Sequence, residues 1–305
     1  MASVEMESIV EALRARGGPA GGAASVAEQR ALFEAAAAAL PPVEGVQVEP
    51  VTVAGRPAEW VARPGAPAEP ALLYLHGGAY VLGSPATHRR LTSALALATG
   101  ARVLALDYRL APEHPYPAAV DDAVAAWRWL VEREGLAPEQ LGIAGDSAGG
   151  GLAVATMVAA RDAGLPLPAA AALLSPWVDL EGRGESVRTR AAADPMLDAG
   201  RMPAITAMYL AGQDPRAPLA SPIHADLRGL PPLLIHAGDR EILLDDAVRL
   251  AERARDAGVD VTCEVWPEMI HVWHFFTGLA PEATEGVARV AAFLRDHLGA
   301  PGPAA

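Results

Sequence analysis

The sequence predicts an α/β protein whose sheet is mostly parallel and flanked by helices. Two observations carry that prediction. Four apolar runs of strand length, Ala71–Leu75, Arg102–Leu106, Leu141–Ala144 and Ala169–Leu174, alternate with segments of helical periodicity. The alternation then resumes near the C-terminus with Pro232–Ala237, Asp245–Ala257, Val259–Trp266 and a last helix. Strands separated by helices pair in parallel and are covered on both faces, and such sheets carry their sites at the carboxyl ends of strands.

Two short helices precede this core. Met6, Ile9, Val10 and Leu13 recur at helical spacing, and the Gly/Pro-rich stretch Gly17–Gly22 ends that pattern. Ser25 followed by Glu28 predicts a capping box, with Leu32, Phe33 and Ala36 on one face behind it. Val46–Val53 and Ala58–Ala62 read as adjacent strands joined at Gly55. Helices are expected near Thr87–Ala98, over Ala118–Arg133 and over Ala148–Asp162. Val120, Val124, Trp127 and Val131 mark the inner face of the second. From Gly182 to Leu227 the alternation stops; this stretch reads as an insertion, with a helix near Ala199–Leu210, placed to pack with the N-terminal helices. Val259, Val261, Cys263 and Val265 share one side of the last strand, and Val287, Val290, Ala291, Leu294 and Leu298 one face of the last helix. The division expected is N-terminal helices over 1–45, a core of 46–181 and 228–305, and an insertion over 182–227.

Composition closes several functional classes. With 305 residues, 51% hydrophobic and 20% charged, the chain can bury a large core. Its net charge of −13 argues against nucleic-acid or anionic-membrane partners. There is no lysine, which excludes a P-loop, a pyridoxal Schiff base and a Ser-x-x-Lys hydrolase, and no asparagine. Cys263 is alone, so no internal disulfide can form; a small hydrophobe fits its apolar run better than a nucleophile. Glu5 and Glu7 argue against a signal peptide, and Gly and Pro break the longest uncharged stretches. A cytoplasmic protein without membrane spans is expected.

Chemistry concentrates in two turns. Gly145-Asp146-Ser147-Ala148-Gly149 lies directly after a strand and directly before a helix, the context of a G-x-S-x-G nucleophile elbow. It would raise the Ser147 hydroxyl at the sheet edge, where a helix N-terminus favours developing negative charge. His76-Gly77-Gly78-Ala79-Tyr80 ends an earlier strand, and its small residues let backbone N–H groups face a reacting oxyanion. His76 itself reads as an anchor for that turn.

With Asp107-Tyr108-Arg109-Leu110-Ala111-Pro112-Glu113-His114-Pro115 between them, these motifs resemble the hormone-sensitive-lipase-like (bacterial family IV) carboxylesterases of the α/β-hydrolase superfamily. The resemblance runs from about Ala71 to His274. It implies an α/β-hydrolase fold with a helical cap built from the N-terminus and the insertion. It also implies hydrolysis of small carboxylic esters without a cofactor, and an insertion too small for a large lipid-binding lid points to short to medium acyl chains. Three departures stand out: Ala79 replaces the third glycine of the oxyanion turn, Gly151 an asparagine after the elbow, and Val272-Trp273 the Gly-Phe after the histidine.

The triad order serine, acid, histidine makes His271 the base, with His274 as its rival. The family pattern Asp-Pro-Leu-Arg-Asp, with its Leu on Leu243 and its final Asp on Asp245, places the acid at Glu241. Asp239 is the alternative acid, while Asp245 and Asp246 read as caps of the next helix. Backbone N–H groups of Gly77, Gly78, Ala79 and Ala148 are the expected oxyanion donors. Tyr80, Trp177, Tyr209, Trp273 and Phe275 are candidate pocket residues. Asp146 reads as a brace for the elbow, and Arg109 with Glu113 as an internal pair. His88, His114, His224, His236 and His297 are read as structural or surface residues. A zinc reading of His271 and His274 lacks further ligands. A lactone or amide hydrolase with the same triad, and a non-catalytic binding protein on this fold, are the competing functions; the resemblance leaves room for a homodimer through the last strand or helix.

Overall fold

The computed structural model describes residues 2–15 and 25–299; the expected helix end at Gly17–Gly22 lies outside them. Eight strands form one sheet in the order β1-β2-β4-β3-β5-β6-β7-β8. β1 (Gln47–Val53), β2 (Arg56–Ala62) and β4 (Arg102–Leu106) pair antiparallel in sequence, β2 lying between the other two. From β4 through β3 (Ala71–Leu75), β5 (Leu141–Asp146), β6 (Ala170–Leu174), β7 (Leu233–Gly238) and β8 (Val261–Trp266) every pairing is parallel.

The central strands are buried on both faces, and side chains alternate between two cores with the period of two that a pleated strand imposes. Leu73, Leu75, Ile143, Leu173 and Ile235 meet α4 (Ala118–Arg128), α5 (Ala148–Asp162) and α8 (Leu244–Asp256). Leu72, Tyr74, Ala144, Ala172 and Leu234 meet α3 (Pro85–Thr99) and α9 (Pro281–His297). The helix expected over Ala118–Arg133 ends as α-helix at Arg128 and continues as one π-turn, Trp129–Arg133.

α1 (Val4–Ala15) buries Met6 and Val10 against Met269, Ile270, Trp273, Ala280 and Ala283. α2 (Val26–Ala38) starts with the expected capping box of Ser25 and Glu28 and follows it with no fully buried residue. The 182–227 stretch holds α6 (Ser186–Thr189) and α7 (Met202–Leu210). It touches both N-terminal helices, through Arg14 Nη2 on Ala193 O at 3.4 Å and Arg201 Nη2 on Gln29 Oε1 at 3.0 Å.

Three expectations are corrected. Asp245 and Asp246 do not cap α8, whose N-cap position is Leu243. They turn away from it, Asp245 accepting the Ser186 N–H and Asp246 those of Val178 and Asp179, each at 2.9 Å. Arg109 pairs with Asp122, not Glu113, whose carboxylate faces Arg30 of α2. Both partners come from elements that local spacing does not bring to mind. The last strand begins at Val261, and as the sheet's edge it leaves Val265 42% exposed.

Candidate active site

The five strand ends from β3 to β8 converge on one place. β5 delivers Ser147 on a turn with φ 53° and ψ −122°. A serine in that region is strained, on the order of 1–3 kcal/mol, and persists only where its surroundings over-determine it. Here the Ser147 N–H donates to Leu174 O, and Ser147 O accepts the Trp177 N–H, both at 2.8 Å. Gly149 lets α5 approach the oxyanion turn: a Cβ there would lie 2.0 Å from Leu75 O and 2.5 Å from His76 O.

The candidate base follows β8. His271 is 4% exposed, and its Nδ1 lies 2.5 Å from Glu241 Oε2. Glu241, fully buried, is fixed through its other oxygen, which accepts the Gly238 N–H at 2.6 Å and the Ser175 hydroxyl at 2.9 Å. Burial pushes the His271 pKa down, but the adjacent Glu241 carboxylate outweighs it, so the imidazole sits above its ordinary value. With Nδ1 directed at a carboxylate, Nε2 is the nitrogen left to exchange protons. Asp239 lies elsewhere, accepting the Glu268 N–H at 2.6 Å, and His274 is buried against His236 at 3.0 Å. Burial and the two neighbouring imidazoles hold His274 well below the usual histidine range. Among the described residues no direct hydrogen bond joins the Ser147 hydroxyl to His271. In enzymes without bound substrate such contacts are commonly long and tighten around the substrate.

Ser175 is a site residue that the sequence reading missed. Its hydroxyl donates to Glu241 and accepts the Val272 N–H at 3.1 Å, tying the acid to the loop of the base. A positive φ of 48° at Ser175 and of 45° at Val272 accompanies this. The only available signal was position, since Ser175 directly follows β6 as Ser147 follows β5.

Asp146, expected to brace its own elbow, instead reaches across with its carboxylate to the glycine turn after β3. Oδ1 accepts the Tyr74 hydroxyl at 2.7 Å and the Gly77 N–H at 3.0 Å, and Oδ2 meets His88 Nε2 at 3.3 Å. Although burial opposes it, the His88 contact holds the Asp146 carboxyl below its ordinary value. The Gly77 N–H is therefore consumed, which removes Gly77 from the candidate oxyanion donors and leaves Gly78, Ala79 and Ala148. His76 stacks on Tyr108 at 4.2 Å, and burial depresses it to about 3, so it is a neutral anchor.

Tyr80, the next residue, stacks face to face on Tyr209 of α7 at 3.9 Å, with Trp177 6.2 Å from Tyr80. Gly151 makes room for them: a Cβ would stand 2.1 Å from Trp177 O and 3.2 Å from Tyr80 Oη. Trp273 does not join this group. It belongs to the α1 cluster and packs with Trp266, His236 and His274, because Val272 takes a left-handed conformation (φ 45°, ψ 46°) between His271 and the short 3-10 helix Trp273–Phe276. Phe275 faces His88, ring centres 5.0 Å apart.

Among the described residues, one group could offer three metal ligands: Asp179, Glu181 and His224. Arg249 pairs with Asp179 at 2.7 Å and Arg183 with Glu181 at 2.7 Å, so cationic side chains already occupy that charge. No described helix is long and apolar enough to cross a membrane.

Known proteins fit this geometry. Residues 72–275 match the family model described as alpha/beta hydrolase fold. An acetyl-hydrolase of Streptomyces hygroscopicus is 55% identical over 82% of this chain and 83% of its own length. The carboxylesterase NlhH of Mycobacterium tuberculosis is 38% identical over 76% of this chain and 75% of its own. A crystal structure of an esterase from the bacterial hormone-sensitive lipase family superposes with a TM-score of 0.94 at 48% identity, covering 98% of this chain and all of that one (100%). The esterase EstE5, in crystals soaked with p-nitrophenyl butyrate, superposes at 0.93 and 48% identity over the same shares, 98% and 100%.

Proposed function

The chain belongs to the hormone-sensitive-lipase-like branch of the alpha/beta hydrolases and is a carboxylic-ester hydrolase; from that premise we propose that Ser147, His271 and Glu241 form its triad. Ser147 Oγ attacks the acyl carbon while its proton passes to His271 Nε2. The carbonyl oxygen becomes an oxyanion held by the N–H groups of Gly78, Ala79 and Ala148. The tetrahedral adduct collapses, the C–O bond to the alcohol breaks, and the alcohol leaves with the proton from His271. Water then attacks the acyl-enzyme, giving its proton to His271, and Ser147 regains one as the acid departs. The observation that carries this reading is the 2.5 Å contact of His271 Nδ1 with a carboxylate whose other oxygen is locked.

Short to medium acyl chains are part of the proposal. The Tyr80–Tyr209 stack lies against Gly151 in the first turn of the helix that follows the elbow, and a 55% identical relative is named for acetyl hydrolysis. The cap role of the N-terminal helices and of residues 182–227 is proposed on their mutual contacts. A cytoplasmic setting is proposed on the lone Cys263. A homodimer is proposed through β8, an edge strand with Val265 exposed; sedimentation of a Val265→Lys chain as the same species as wild type would rule that edge out.

The direct test is hydrolysis of p-nitrophenyl esters from acetate to palmitate by wild type and Ser147→Ala. Turnover of the short esters should disappear in the variant. Activity surviving the substitution would overturn the triad, and a preference for palmitate would overturn the chain-length proposal.

A further inference from the structure

The turn that offers the Gly78 and Ala79 N–H groups has an unusual backbone. Gly78, Ala79 and Tyr80 follow one another at φ 113°, 56° and 61°. Two of the three are not glycine, so the conformation is strained and must be imposed from outside. Within the turn, Gly78 O accepts the N–H groups of Val81 and Leu82 at 3.0 and 2.8 Å, and Tyr80 O accepts that of Ala111 at 2.9 Å. These contacts shape the turn but do not fix its outer side.

That side is gripped by α2. Arg30, Phe33 and Glu34 stand at i, i+3 and i+4, one face of the helix. Arg30 Nε donates to Val81 O at 2.8 Å and Nη2 to Ala111 O at 2.9 Å, while Nη1 and Nη2 form a two-pronged pair with Glu113 at 2.9 and 2.7 Å. Glu34 accepts the Ser84 hydroxyl. The Phe33 ring meets His88 edge-on, 5.9 Å between centres, and His88 in turn reaches the Gly77 N–H and Asp146. Because α2 has no fully buried residue, these directed contacts, more than apolar burial, set where it lies.

We propose that Arg30 is a positioning residue: its guanidinium, oriented by Glu113, joins Val81 O to Ala111 O and holds the oxyanion turn in its strained form. The inference rests on the reading of Gly78 and Ala79 as oxyanion donors. Arginine suits the task because its planar fork serves two carbonyls and a carboxylate together, which a single ammonium cannot do.

Kinetics of Arg30→Ala test it. With p-nitrophenyl acetate, kcat should fall about 10–100-fold, the scale of a donor displaced by a remote change, while KM moves less than about threefold. Low-millimolar guanidinium should restore part of kcat in Arg30→Ala and none in wild type. Arg30→Lys should lie between the two, and it carries the test if the alanine variant does not fold. The acyl-enzyme from a slowly deacylating, carbonyl-labelled cinnamoyl ester separates the two layers of the argument. Its infrared carbonyl stretch should lie below that of the free ester in wild type and rise in the variant. No lowering in wild type would refute the oxyanion reading itself. Equal lowering in both chains, with unchanged kcat in a folded variant, would overturn the role of Arg30 and leave that reading intact.

Discussion

Replacing Glu241 by glutamine changes one atom and, on the structure, the tautomer of the base. Glu241 Oε1 receives two donors, the Gly238 N–H and the Ser175 hydroxyl, so a glutamine must place its carbonyl oxygen there. Its NH2 group then occupies the position 2.5 Å from His271 Nδ1. That nitrogen must accept, the ring proton moves to Nε2, and no lone pair remains to take the Ser147 proton. The corresponding substitution in a serine protease triad costs about 10⁴-fold in kcat, or about 5.4 kcal/mol of transition-state stabilisation, and we expect that size here. Folding should survive, because both Oε1 contacts are kept. The pH profile should move as well. Glu241 holds His271 above the ordinary imidazole value of 6.5, so the acid limb of kcat/KM lies above that value in wild type. Residual activity of Glu241→Gln should have its limb at lower pH. The assay is initial-rate hydrolysis of p-nitrophenyl acetate between pH 5 and 9 by Glu241→Gln and Asp239→Asn. A kcat within about tenfold of wild type in the first, or a larger loss in the second, would refute the reasoning.

Other outcomes follow from single contacts. Ser175→Ala removes a donor from Glu241 and an acceptor from the Val272 N–H, and should cost about 1–3 kcal/mol in urea unfolding together with a loss of kcat; unchanged unfolding would show both groups finding other partners. Tyr209→Ala removes one ring of the stack on Tyr80 and should shift the preferred p-nitrophenyl ester to a longer chain, which a side-by-side ester series reads directly. Gly149→Ala forces a Cβ against Leu75 O and His76 O, so it should destabilise by about 1–3 kcal/mol and lower kcat; a variant with wild-type melting temperature counts against the close packing. Asp246 is pushed up to about 7 by burial, despite two backbone donors. Its folded pKa exceeds the unfolded one near 3.8, so its contribution is full below pH 4 and declines as pH rises through 7. Melting curves of Asp246→Asn should show a shallower decline across that window than wild type.

What the sequence made legible was chemistry carried by consecutive residues. The elbow needs strand, Ser147 and helix in immediate succession, and continuous apolar runs alternating with helical segments announce a sheet buried on both faces. Glu241 was reachable because the acid's place is tied to a turn after β7. The misreadings share one cause. The Gly77 N–H is taken by Asp146, Glu113 by Arg30 and Asp246 by Val178, each between elements far apart in the chain, and Arg109 by Asp122 of the next helix rather than by its near neighbour Glu113. Trp273 lies two residues from the base yet joins the α1 cluster, because rotation about two residues turns a side chain to another layer. Ser175 carries no local motif, and only the meeting of β6 with the loops after β7 and β8 gives it two partners.

The order of strands in the sheet also has a consequence during synthesis. The oxyanion turn and Ser147 leave the ribosome first, after β3 and β5; Glu241 follows β7 and His271 follows β8. His271 comes 124 positions after Ser147, so on the proposed triad a nascent polypeptide carries its nucleophile long before its base. Through that interval the serine is an ordinary alcohol, unable to acylate itself or to attack esters around the ribosome. On that reading, chemical competence arrives only after the last strand of the sheet. The first turnover would then report that the strands from β3 to β8 have all docked.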